Sequence, residues 1–289
     1  MTLYLIDASA IFHRAYHSYP PMLSAEGKPV NAIYGMTDIL WAMLDKFRVD
    51  ATHLGMVFDA PGPNFRHKLY PEYKANRKAK DADLVSQFQG VRDAVQAFNL
   101  PCIERAGYEA DDVLATLAAQ AFAEKIKTVI ISSDKDLMQL IIDGHIEMYC
   151  PMQNKSMGVH AVFEKFGVAP GQVTDVQALM GDSTDNVPGV PSIGVKGAAA
   201  LIQRYGNLEN LLANAESVEK AKTRKMLLEN KHLAELSKKL VTLDKSVPLL
   251  ENTIESLAVR APKPGLLYDF LSKMDFQLLL SRLEQEALQ

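Results

Sequence analysis

Three short apolar runs, each closed by an aspartate, constrain this chain more than any other feature. They are LYLID (3–7), HLGMVFD (53–59) and TVIISSD (128–134). Between them lie helical patterns over about 32–47, 84–98 and 110–124. Strands alternating with helices build a parallel sheet. Runs apolar on both faces suit strands covered by helices on either side. A fourth strand is expected at IEMYC (146–150). Beyond about residue 160 the strand signals stop, and PGQVTDVQALMG (170–181), KGAAALIQRYG (196–206), NLENLLANA (207–215) and a Lys/Glu-rich stretch near 216–240 all read as helical. The expected architecture is α/β, a mostly parallel central sheet flanked by helices over 1–165, followed by a helical domain over 166–289.

That alternation puts the closing aspartates where open parallel sheets bind their ligands, outside the carboxyl ends of the strands. Asp7, Asp59 and Asp134 fall there, with Asp136 just beyond in SSDKDLMQL. The helix that opens GYEADDVLA adds Glu109, Asp111 and Asp112. Turn and helix-capping roles account for any one of these acids, but less well for seven. Carboxylates a few ångströms apart disfavour one another's ionisation unless cations intervene. Hard oxygen ligands in such numbers, without a His/Cys constellation, suit Mg²⁺ or Mn²⁺ over Zn²⁺.

Composition narrows the setting. With 48% hydrophobic and 23% charged residues the chain reads as an ordinary globular protein. No apolar run approaches the ~18 residues needed to span a bilayer, and MTLYLIDASA lacks the basic start of a secretory leader. The two cysteines, Cys102 and Cys150, make no disulfide framework, so a reducing cytoplasm is the expected location. A formal charge of −4 hides a local excess: residues 64–80 carry six Lys/Arg against the single acid Glu72, with Phe65, Tyr70 and Tyr73 interleaved. Cations beside aromatics suit a phosphate backbone with stacked bases.

Further along, LMGDSTDNVPGVPSIGVKGAAALIQRYG (179–206) places Asp182 and Asp185 at the end of one helix, before a Gly/Pro-rich hairpin and a second helix. Gly189 and Gly194 permit close backbone approach, and the helix after Lys196 offers free N–H groups to a phosphate. This is a helix–hairpin–helix pattern, which grips a duplex backbone without reading bases.

The blocks YLIDASAIFHRAYHS, VFDAPGPNFRHKLYPEYKANR, GYEADDVLATLA, VIISSDKDLMQL and LMGDSTDNVPGVPSIGVKGA, in that order from residue 3 to about 206, resemble the 5′-nuclease family. That family includes the 5′→3′ exonuclease domain of bacterial DNA polymerase I, phage 5′ exonucleases and flap endonucleases, and the polymerase-linked branch is the most similar. The resemblance implies a PIN-like catalytic core and nine metal-site acids: Asp7, Asp59, Glu109, Asp111, Asp112, Asp134, Asp136, Asp182 and Asp185. By the same resemblance Asp7, Asp59, Glu109 and Asp111 hold one ion and Asp134, Asp136, Asp182 and Asp185 a second, while Asp112 belongs clearly to neither. It implies a basic helical arch over about 64–100 and a two-metal hydrolysis of DNA at 5′ ends, flaps and nicks, with Asp59 and Asp134 among the catalytic acids. Lys74 and Arg77 would contact the reacting phosphate, Tyr73 would stack on a base, and Arg14, Arg66, Lys78, Gly189, Gly194 and Lys196 would bind DNA. K⁺ at the hairpin carbonyls, RNA–DNA hybrids as further substrates, a role in replication or repair, and a monomeric state are implied as well. SIGVKGAAA departs from the commoner GIGxKTA at Ser192 and Gly197, which touches hairpin affinity and leaves the chemistry alone.

Two other readings stand beside this one: a catalytically weak DNA-structure-binding protein, and a PIN-like ribonuclease. The nine intact acids argue against the first, and the hairpin and basic segment against the second. His13 and His17 read as surface or phosphate contacts, and Cys102 and Trp41 as core.

Overall fold

A computed structural model describes residues 1–47, 50–249, 253–260 and 263–287. A six-stranded sheet is formed by β1 (Thr2–Asp7), β2 (His53–Val57), β3 (Cys102–Ile103), β4 (Lys127–Ile131), β5 (Ile146–Cys150) and β6 (Lys155–Met157), in the order β3-β2-β1-β4-β5-β6. The first five strands are parallel and β6 is antiparallel at the edge. Because the chain builds outward from β1 to β3 and then crosses to β4, the strand order switches direction between β1 and β4. A crevice opens at such a switch. The register places Asp7 beside Val57 and Ile6 beside Ile131, so the acids that follow all three strands emerge along one edge.

Helices cover both faces. On one side α1 (Ala8–Ser18), α2 (Asn31–Phe47) and α5 (Phe88–Ala97) bury Phe12, Met36, Leu40 and Val91 against Ile6 and Met56. On the other, α6 (Ala110–Ala123) packs Val113, Leu114 and Leu117 onto Leu3, Leu5 and Ile130. Each such fully buried side chain contributes about 1.5–3 kcal/mol of transfer free energy. The same apolar cluster continues without a break into the helical half, through Val173, Val176 and Leu179 of α8 (Val173–Met180) and Ile202 of α9 (Val195–Tyr205). The remaining helices there are α7 (Val159–Phe166), α10 (Leu208–Ala213), α11 (Ala221–Glu229) and α12 (Lys231–Val241).

Four features differ from the sequence expectation. The edge strand β6 was not foreseen, being only three residues long. The helix expected over 84–98 divides into α4 (Ala82–Ser86) and α5 at Gln87, whose buried side-chain oxygen accepts from the amides of Ala32 (2.7 Å) and Ile33 and so caps α2. The helical arch expected over about 64–100 is instead the five-residue α3 (Phe65–Leu69), a helix-free stretch from 70 to 81, then α4 and α5. Finally, the C-terminal helices α13 (Pro264–Lys273) and α14 (Gln277–Ala287) do not stay with the helical half: Leu267, Leu271, Phe276 and Leu279 join the core against α2 and α5. Among the described residues no helix is long and apolar enough to cross a membrane.

Candidate metal centre and nucleic-acid interface

The acids divide into an inner and an outer group. The inner ones are fixed by the sheet edge itself. Asp7 ends β1 and caps α1, accepting from the Ala10 amide (2.9 Å) and from the Ser132 hydroxyl (2.8 Å). Asp59 accepts from the Ala110 amide (2.9 Å), which ties the end of β2 to the start of α6. Asp134 accepts from the Asp136 amide (2.8 Å). Burial, reinforced by the charges of Asp59 and Asp134, pushes the Asp7 carboxyl up to about 7 despite its two hydrogen bonds. Burial and the charges of Asp134, Asp7, Glu109 and Asp59 hold Asp111 well above the usual carboxylate range. Asp136 rises to about 6, through burial and then the charge of Asp134.

The outer acids are met by cations. A narrow cleft lined by Tyr73, Glu109, Asp111, Asp136, Asp182 and Asp185 brings them together. Lys74 pairs with Glu109 and approaches Asp185 (3.6 Å); Arg77 pairs with Asp185. Lys135 pairs with Asp182 and lies 3.2 Å from Asp136. Although burial opposes it, Lys135 draws the Asp182 carboxyl below its ordinary value. The Tyr73 hydroxyl lies 3.1 Å from Glu109 and 3.2 Å from Asp185, so two acids distant in sequence meet at one atom. Burial and then those two charges push the phenol upward, which keeps it a donor.

Several residues take places other than those expected. Asp112 is fully buried and receives a bidentate pair from Arg66 (2.6 and 2.8 Å). Arg66 is itself 1% exposed, which removes it from contact with a DNA backbone. Tyr73, 4% exposed, is enclosed rather than presented for stacking. Gly189 is buried and its amide donates to Ser237 (2.9 Å); it stands back to back with Gly181, whose backbone nitrogen lies 2.4 Å from where a Gly189 Cβ would sit. Arg14 is half-buried on α1, while Lys78, Gly194 and Lys196 are exposed. Gly194 caps α9, and Lys196 rises from that helix's first turn. Ser192 holds a left-handed backbone (φ 68°), and Ile193 lies 3.9 Å from where a Cβ on Gly197 would sit.

Sequence reasoning missed Lys135, Gln177, Asn64 and Ser132. Lys135 was visible as the cation inside SSDKD. Gln177, donating to Asp136 (2.5 Å), and Asn64, donating to Glu109 (2.9 Å), gave no such signal.

The donor set suits a hard divalent ion. It is made of carboxylates, burial and neighbouring charge make Asp7, Asp111 and Asp136 resist ionisation, and three basic side chains stand on its outer members. Among the described residues no three acids already form a tight ligand array.

Residues 2–167 match the 5′-3′ exonuclease N-terminal resolvase-like domain, and residues 168–265 match the 5′-3′ exonuclease C-terminal SAM fold. The chain belongs to the 5′-3′ exonuclease family. Among its relatives, DNA polymerase I of Rhizobium leguminosarum is 43% identical over 98% of this chain, which spans 28% of that protein. The 5′-3′ exonuclease of Aquifex aeolicus is 35% identical over 98% of this chain and 96% of its own length. A T5 5′-exonuclease structure with bound zinc shares the fold, with a TM-score of 0.71, 23% identity and coverage of 84% of this chain and 90% of that one. Family membership makes the chain a nuclease of the phosphodiester-hydrolase class.

Proposed function

We propose that this chain cleaves DNA at 5′ ends, 5′ flaps and nicks, as a monomer, using two or more Mg²⁺ ions for which Mn²⁺ can substitute. The observation that carries the reading is the meeting of acids from β1, β2, α6, the end of β4 and the 182–187 turn under one basic strip. Asp7, Asp59, Glu109, Asp111, Asp134, Asp136, Asp182 and Asp185 would hold the ions. Divalent ions supply activation of water and neutralisation of charge on the attacking and leaving oxygens. Lys74 and Arg77, now on Glu109 and Asp185, would transfer to a phosphate and stabilise negative charge as it builds. Tyr73 keeps its proton and would orient Glu109 and Asp185. Lys78 and the start of α9, with Gly194 and Lys196, would hold the flanking backbone, with K⁺ at the hairpin carbonyls. Arg14, two turns further along α1 than Asp7, would add a backbone contact. RNA–DNA hybrids, a cytoplasmic location and a part in replication or repair belong to the same proposal.

Product mapping on a labelled 5′-flap duplex tests it. Cleavage near the flap junction with Mg²⁺, and none with chelator, is expected. Binding without cleavage in every metal would favour a structure-binding protein.

A further inference from the structure

Resting on the nuclease reading above, we propose that Arg66 and Asp112 form a positioning pair that sets the orientation of Glu109 and Asp111 and ties them to the helical half. The guanidinium is nearly saturated. Its Nε donates to the Leu240 carbonyl (2.7 Å), two nitrogens take both oxygens of Asp112, and one of them also reaches the Thr242 carbonyl (3.3 Å). The remaining direction leads to Glu109, 3.5 Å away. Leu240 lies in the last turn of α12 and Thr242 caps its end, so one side chain from the basic strip fastens the end of a helix in the second half. Asp112 is equally committed: it accepts from the amides of Glu109 (3.2 Å) and Asp244 (2.9 Å). The first of those bonds is half of the box that starts α6, and it fixes the backbone carrying Glu109 and Asp111.

Stability is a poor explanation for such a pair. Two buried charges lose their hydration, and apolar replacements of similar volume are often neutral or stabilising. Geometry and charge balance explain it better. Asp112 cancels the charge of Arg66, so the guanidinium can steer Glu109 without presenting net positive charge to a cation site beside it. Removing Asp112 alone therefore harms the site more than removing both partners.

Three variants test this: Arg66→Lys, which keeps the charge and loses the fork, Asp112→Asn, and the double variant Arg66→Met/Asp112→Leu. Each is read by kcat and KM on a flap duplex, and by the Mg²⁺ concentration that half-saturates the rise in unfolding temperature without DNA. Expected for all three is a fall in kcat of at least about 10-fold with KM within about 3-fold, and a matching rise in the half-saturating Mg²⁺. Asp112→Asn should be the worst, and the double variant should unfold cooperatively at or above the wild-type temperature. A folded double variant or Arg66→Lys with wild-type kcat and Mg²⁺ response would overturn the proposal. Failure of all three to fold would overturn it too, by making the pair a requirement of the fold. A wild-type chain that cuts nothing would sink the nuclease reading, whereas the Mg²⁺ titration would still judge the pair.

Discussion

The inner and outer acids of one cleft have solved the same electrostatic problem differently. Asp7 and Asp111 sit at the sheet edge among other carboxylates, and their acidity is suppressed. Glu109, Asp182 and Asp185 sit against Lys74, Lys135 and Arg77. The inner group can be relieved only by a proton or an incoming cation, whereas the outer group carries its own countercharge and must surrender it. If the cleft holds divalent ions as proposed, their binding energy would reside mainly inside, and the switch to substrate mainly outside.

The comparison breaks most visibly at Asp111. Asp111→Asn should lower cleavage by about 10³-fold or more, since the charge stabilisation supplied by bound ions is worth several kcal/mol. In chelator the same variant should unfold at a higher temperature than wild type, because a repelling charge has gone. A lower unfolding temperature would refute the inner-group account.

Lys74→Ala probes the outer group and should have the opposite sign in chelator. It strands Glu109 without its main cation, so the ion-free protein should melt earlier, while turnover on a flap duplex falls about 10²-fold. Equal turnover for variant and wild type would remove Lys74 from the chemistry.

A pH series sharpens the same contrast. The folded Asp7 and Asp136 carboxyls hold protons up to about 7 and about 6, whereas the unfolded chain releases them near the ordinary carboxylate value of ~4. Between those limits the folded state binds more protons, so this contribution to stability is complete at low pH and disappears as pH rises through the folded values. Calorimetry in chelator should show the ion-free protein losing stability from pH 5 to pH 8, and saturating Mg²⁺ should abolish that loss. A flat profile in chelator would contradict it.

The smallest effect is expected at the hairpin. Lys196→Ala should weaken duplex binding about 3–10-fold and lower the slope of log affinity against log salt by about one, with kcat at saturating DNA unchanged. An unchanged slope would mean that Lys196 touches no phosphate.

Much of this architecture could be read from the chain, and the exceptions share a cause. Strands β1, β2 and β4 announced themselves because each is buried on both faces and ends at, or within three residues of, an acid. The gathering of acids followed from parallel topology, which aligns strand ends. Local patterns could not reveal what distant side chains would do. Gln87 breaks a continuous helical pattern because it caps a helix 55 positions earlier in the chain. Arg66 looked like a surface cation among others, and only the end of α12, 174 residues later, shows it to be interior. Asp112 looked like its neighbours Glu109 and Asp111 for the same reason: three acids within four residues carry no label saying which one turns inward.

The back-to-back contact of Gly181 and Gly189 reaches beyond local geometry. Val187 O lies 2.6 Å from where a Cβ on Gly181 would sit, so the turn bearing Asp182 and Asp185 is welded to the approach of the exposed α9 tip. A double helix seated on that tip would meet the carboxylates of the proposed metal centre at an invariant offset, like stock clamped against a saw fence. Where the cut falls would then be dictated by two hydrogen atoms standing in for side chains.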